Sequence, residues 1–139
     1  MISGVESSLS NRPDWKYRIG WLLSGLAILF LVMDSVMKLL ALPVVIESSA
    51  ALGFHGVAMA RGLGVVLIVC TILYAAPRTS VLGAILLTGY LGGAVATHVR
   101  AGNPLFSHVL FGVYVGVVIW AGLYLRDPGL RTLIPTRKT

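Results

Sequence analysis

The chain has 139 residues, of which 57% are hydrophobic and 12% charged, with a mean hydropathy of +0.89 and a net charge of +6. A soluble domain carries about 25% charged residues, so this composition excludes an ordinary globular enzyme and points to one membrane domain. The positive charge does not point to nucleic acid, because the basic residues flank apolar segments and are not interleaved with stacking aromatics.

Residues 1–11 are polar and Ser-rich, unlike a signal peptide, and the apolar run that follows is longer than one. That run, residues 17–42, is therefore expected to be a retained spanning helix. Only Asp34 and Lys38 interrupt it, and Pro43 ends it. A second apolar segment covers 56–76, with Arg61 near its start, and closes at PRTS. The third covers about 81–99 and ends around His98 and Arg100. The fourth covers 105–125, with His108 near its start, and closes at RDP. Each is close to the ~20 residues that a spanning helix needs. No segment shows the alternation of a β-barrel strand. The expected fold is all-α: a four-helix transmembrane up-down bundle, with tails at 1–16 and 126–139.

With four spans, both termini and the loop at residues 77–80 share one side. That side holds Arg12, Lys16, Arg18, Arg78, Arg126, Arg131, Arg137 and Lys138. The other holds only Lys38, Arg61 and Arg100. The positive-inside rule puts both termini in the cytoplasm, as for a protein of the bacterial inner (plasma) membrane. Trp15, Tyr17, Trp21 and Tyr124 suit an interfacial belt on that side.

The opposite half of the membrane gathers the chemistry. Asp34, Lys38, Glu47, His55, Arg61, His98, Arg100, Asn103, Ser107 and His108 all fall there, including all three histidines. Asp34 and Lys38, four residues apart, lie on one helix face and can pair. At 1.5 Å per residue, Arg61 is about 7 Å into its helix and Asp34 about 12 Å below the end of its own. An Asp34–Arg61 pair is therefore expected if the two helices are neighbours. Charges in hydrocarbon cost several kcal/mol unless paired or wet, so these groups are expected to point into the bundle. Tyr90, Ala94, Thr97 and His98 form one stripe of the third helix that continues the polar edge inward. The competing reading is structural: an ion pair fixes helix register, and helix-end histidines act as caps.

No histidine spacing matches a metal motif, and no metal is expected. The cytoplasmic half of the spans lacks Asp, Glu, His and Lys, which argues against a proton path across the membrane. Gly89/Gly93 and Gly112/Gly116 form two GxxxG pairs, expected to pack the bundle internally or to pair two copies. Cys70 is alone, so an internal disulfide and a CxxC site are excluded.

The segments MDSVMKL, ARGLG, PRTSVLGAILLTGYLGGAVATHVRAGNPLFSH and YLRDPGLR resemble the DoxX-like family of small bacterial membrane proteins, over about residues 21–135. The resemblance implies a four-helix membrane bundle. It also implies terminal-oxidase or thiosulfate:quinone chemistry in some relatives, and thiol redox work or amine-dehydrogenase maturation in others. The cysteine-based role does not carry over to a chain with one cysteine.

The sequence thus leads to a binding site for a small lipophilic, quinone-like molecule, with a bound quinone as the candidate cofactor. Asp34 and His98 are the candidate catalytic residues. Lys38, Arg61, Tyr90, Arg100 and His108 are the candidate ligand-binding residues. No electron carrier is visible, so electrons would come from a partner or a bound cofactor. The expected partners are the lipid bilayer, the lipophilic ligand, and a second copy or a membrane-complex subunit. The alternatives are an acid–base isomerase or hydrolase of a lipophilic substrate, and a non-catalytic accessory subunit.

Overall fold

A computed structural model describes residues 15–133; the polar N-terminal residues and Arg12, Arg137 and Lys138 lie outside the described residues. The elements are α1 (Trp15–Leu39), α2 (Pro43–Ala51), α3 (Val57–Ala75), α4 (Ser80–Arg100), a π-helical turn (Leu105–Val109), α5 (Phe111–Arg126) and α6 (Pro128–Leu133). Four helical spans, Trp15–Leu39, Val57–Ala75, Ser80–Arg100 and Leu105–Arg126, are long and apolar enough to cross a membrane. The described residues contain no strand.

The spans form a closed ring in which α1 packs on α3 and α5, α3 on α4, and α4 on α5. Short connections make sequential helices antiparallel. Arg126 at the end of α5 and Tyr74 at the end of α3 therefore meet the start of α1. This end is called the terminal end below, and the opposite one the far end.

The distribution of side chains is that of a protein solvated by lipid. Leu22, Leu29, Ile72 and Val117 are each more than 60% exposed, whereas Ser24, Ser35, Thr71, Ala60 and Ala84 are fully buried. Where the lipid is as apolar as leucine, helices associate through small residues and interhelical hydrogen bonds. The buried hydroxyls of Ser35 and Thr71 donate to the carbonyls of Leu31 and Leu67, both at 2.7 Å, and so satisfy themselves within their own helices.

The closest approaches are made at glycines. A Cβ at Gly20 would stand 2.6 Å from the Arg126 nitrogen, and one at Gly122 would stand 2.6 Å from Ser24 Oγ, so α1 and α5 cross there almost backbone to backbone. Gly83 lies against the backbone of Leu73 and Tyr74 in the same way. Of the GxxxG glycines, only Gly112 is tight, with Val95 Cγ2 at 3.0 Å from its would-be Cβ. Gly89 and Gly93 have open space at that position and pack against no helix.

Three local features differ from the sequence expectation. First, α1 stops at Leu39, three residues early, because Ala41 takes φ +50° and Leu42 is extended before Pro43. Second, the expected loop after Pro43 contains helix α2, with Pro43 at the first helical position, where the missing N–H costs nothing. Third, the tail after Arg126 begins with α6. The carboxylate of Asp127 caps it by accepting from Gly129 N at 2.9 Å.

Candidate functional site

The far half of the bundle holds a cavity of about 480 Å³, within the usual range for small-molecule sites. Its walls come from α1, α3, α4 and the start of α5, and α2 with the turn after it covers the far end through Ser49, Leu52 and Phe54. Phe30, Leu31, Leu63 and Phe111 supply apolar walls. Asp34, Lys38, Tyr90, Thr97, His98 and His108 supply the polar part.

Asp34 and Lys38 form an ion pair on adjacent turns of α1, with Lys38 Nζ donating to Asp34 Oδ2. The acid precedes the base by four residues, the favourable order on a helix. Neither group is sealed off: the side chains are 33% exposed for Asp34 and 17% for Lys38. Both residues form part of the cavity wall.

His98 is half-buried at the end of α4. Its Nδ1 lies 2.7 Å from Asn103 Nδ2. With the Asn103 amide donating, Nδ1 is the acceptor, and the neutral ring carries its proton on Nε2. Gly102 makes this contact feasible: at φ +71° it turns the chain directly after α4, bringing Asn103 back toward His98. The His108 ring lies 5.9 Å from that of His98, centroid to centroid, and its Nδ1 is 2.8 Å from Ser107 Oγ. His108 sits in the π-helical turn, a local geometry that often accompanies functional positions. Among the described residues, no three of His, Cys, Asp and Glu come close enough to share a metal.

The expected Asp34–Arg61 pair is not formed. Arg61 is exposed, and its Nε donates to the carbonyl of Leu39 at 3.2 Å. The register explains the difference. Gly64 is level with Lys38 and Leu39, which puts Arg61 about one turn further out, beside a carbonyl left unpaired by the end of α1. Arg100 is likewise outside the cavity wall and donates through Nη2 to Leu52 O at 2.9 Å, closing the end of α2. Glu47 and His55 are exposed and do not line the cavity. Of the seven site residues expected from the sequence, the cavity brings together Asp34, Lys38, Tyr90, His98 and His108 and leaves out Arg61 and Arg100.

A second polar cluster, not expected from the sequence, lies at the terminal end. Arg126 is only 6% exposed. Its guanidinium carbon stands 4.4 Å from the Trp21 ring centroid and 4.9 Å from that of Tyr74, and Nη2 donates to Tyr74 O at 2.8 Å. Among the described residues no acid pairs with it, and its Nε has no hydrogen-bond partner. Tyr74 donates its hydroxyl proton to Ile119 O at 2.8 Å, so Ser24 donates to Tyr74 at 2.9 Å. These contacts tie α1, α3 and α5 together where they converge. Arg126 lines neither the far-half cavity nor the two lipid-facing hollows between α4 and α5 and between α1 and α5.

No curated protein and no solved structure matches the chain. The sequence model of the DoxX-like family matches residues 22–122. That range contains every residue of the far-half cavity and ends before Arg126. Four membrane-length helices and a family match over most of the chain lead to one conclusion: this integral membrane protein belongs to the DoxX-like family.

Proposed function

We propose that the protein is a multi-pass protein of the bacterial inner membrane, with both termini in the cytoplasm, that binds a small quinone-like lipophile in its far-half cavity. The orientation rests on charge. Lys16, Arg18, Arg78, Arg126 and Arg131 gather at the terminal end, against Lys38, Arg61 and Arg100 at the other.

The observation that carries the ligand reading is an apolar-walled cavity in which a carboxylate, an ammonium, a phenol and two imidazoles converge. A quinone ring needs a flat apolar slot, and its carbonyl oxygens need donors. Phe30, Leu31 and Leu63 supply the slot; Lys38 Nζ, His98 Nε2 and the Tyr90 hydroxyl supply the donors. Asp34 holds Lys38 in place and accepts protons. Reduction of a quinone takes up two electrons and two protons. In this reading Asp34 and His98 relay the two protons from water to the carbonyl oxygens, and the electrons come from a partner protein in a membrane complex.

The experiment is native mass spectrometry with lipid extraction on purified protein. A quinone-like lipophile should accompany the wild type and be lost from Asp34→Asn. Wild-type protein free of any bound lipophile would refute the reading.

A further inference from the structure

The far-half cavity lies inside a ring of four helices, so whatever it holds must pass one of the seams between them or the cover at the far end. Three seams are shut at the level of the cavity. Between α1 and α3, a Cβ on Gly64 would stand 3.0 Å from Lys38 Cβ and 3.0 Å from Leu39 N. Between α4 and α5, a Cβ on Gly112 would stand 3.0 Å from Val95 Cγ2 and 3.3 Å from Leu91 O. Between α1 and α5, Phe30 and Phe111 meet edge to face with ring centroids 5.4 Å apart. The far end is covered by α2 and the turn after it, fastened by Arg100 Nη2 donating to Leu52 O at 2.9 Å.

The fourth seam, between α3 and α4, is different. The two helices touch near the terminal end, where Gly83 lies against the backbone of Leu73 and Tyr74. From there a stripe of α4 runs through Leu82, Leu86, Gly89 and Gly93, spaced four, three and four residues apart and so on one face. Leu82 and Leu86 project into lipid. At Gly89 and Gly93 the stripe loses its side chains. Both glycines line the cavity and are also exposed on the outside, and a Cβ at either meets nothing within 4 Å. The other exposed residues of the lining are His108 and Phe111, and each is backed by a ring, His98 at 5.9 Å and Phe30 at 5.4 Å. Nothing backs the glycines.

Depth decides what stands outside this gap. Gly93 and Gly89 come seven and eleven residues before Arg100, the last residue of α4, which puts them about 10 and 16 Å below its far end at 1.5 Å per residue. The hydrocarbon layer is about 30 Å thick. The gap therefore faces acyl chains and not water.

We infer that Gly89 and Gly93 form the rim of a lateral mouth between α3 and α4, through which the cavity exchanges its ligand directly with the lipid. The inference rests on the ligand reading above and adds the source and class of the ligand. It is a lipophile already dissolved in the bilayer, and a quinone bearing a fixed charge, confined to water, does not reach the cavity. The glycines are then specificity-determining positions: they admit a molecule by its solubility in the membrane before Asp34, Lys38 and His98 meet its polar groups.

The test measures how fast a radiolabelled decyl-benzoquinone binds to and leaves the full-length protein in lipid nanodiscs. Gly89→Phe and Gly93→Phe each place a ring over the mouth. Ala96→Phe, on an exposed part of α4 outside the cavity lining, is the control. Arg100→Gln releases the cover at Leu52. Both glycine variants should slow binding and release together by about tenfold, as a higher barrier on the shared path requires, with unchanged thermal unfolding. Ala96→Phe and Arg100→Gln should exchange at the wild-type rate. Wild-type rates in both glycine variants would overturn the inference, as would faster exchange in Arg100→Gln, which would put the route beneath α2. Weaker binding through faster release alone would make the glycines part of the site and not its mouth, and failure of both variants to fold would show the seam to be closed; either result overturns it too. If wild type binds no probe at equilibrium, the ligand reading itself fails, and this inference with it.

Discussion

Arg126 donates to the carbonyl of Tyr74 at 2.8 Å, linking the last turn of α5 to the last turn of α3, with the Trp21 ring of α1 stacked on the same guanidinium. Three helices converge on one side chain. The arrangement needs a planar cation that donates along its edge while its faces meet two rings, which lysine does not offer. Arg126→Lys is expected to cost about 1–2 kcal/mol, from lost cation–π contacts and a poorer hydrogen bond. Thermal unfolding in detergent measures it; an unchanged midpoint would show that the cluster does not hold the bundle.

Tyr74 relays the same junction inward. Tyr74→Phe keeps the ring under Arg126 but leaves Ser24 Oγ and the Ile119 carbonyl without the phenol. Leaving buried partners unmet costs about 1–3 kcal/mol. This variant should unfold earlier than wild type, yet bind ligand normally once folded, because the far-half cavity does not include Tyr74.

At the far end, the Asp34–Lys38 pair makes a different prediction. Asp34→Asn leaves the Lys38 ammonium partly buried without its counter-ion. The expected cost is about 1–2 kcal/mol, below the ~3–5 kcal/mol of a fully buried pair, since both side chains retain some exposure. Asp34→Asn combined with Lys38→Met should recover most of that stability. Ligand binding should not return, which separates the structural role of the pair from its binding role. Urea or thermal melts and a binding isotherm on wild type and the two variants read the two effects.

The glycines offer a sharp contrast. Gly83→Ala should be among the most damaging single changes, because its Cβ would run into the Leu73–Tyr74 backbone and force α3 and α4 apart. Gly89→Ala should be tolerated or mildly stabilising, by up to about 1 kcal/mol from helix propensity, since nothing lies within 4 Å of its Cβ. Equal melting temperatures for the two would contradict the packing described.

These contrasts show what a linear sequence carries. The four spans were legible because hydrophobic length alone selects them. The polar half was legible because charges within spans are costly and must gather. The GxxxG pattern points to Gly89 as the packing glycine, and only the crossing of α3 and α4 shows that it is Gly83 that is pressed against backbone. The Asp34–Arg61 pair failed for a related reason. Depth along each helix can be counted, but the relative register of α1 and α3 is fixed by Gly64 seating against Lys38 and Leu39. Helix α2 is hidden in the sequence because Pro43 both ends one helix and opens the next. Arg126 reads as one more cytoplasmic charge until its burial between Trp21 and Tyr74 is seen.

Arg61 supplies a negative control on the same footing. Its side chain lies outside the cavity and bonds only Leu39 O. Arg61→Gln should leave ligand affinity unchanged and alter stability by no more than about 0.5 kcal/mol. A strong binding defect would place the ligand nearer the outer rim than the cavity described.

In the proposed complex the quinone ring sits among Asp34, Lys38, Tyr90 and His98. Photolabelling tests it most directly. The protein is illuminated with an azido-quinone, with and without excess unlabelled quinone, and the adducts are mapped by peptide mass spectrometry. Competed adducts are expected on the α4 segment containing Tyr90 and His98 and on the α1 segment containing Asp34 and Lys38. Adducts spread over lipid-facing residues such as Leu22 and Ile72, and not reduced by competitor, would contradict it.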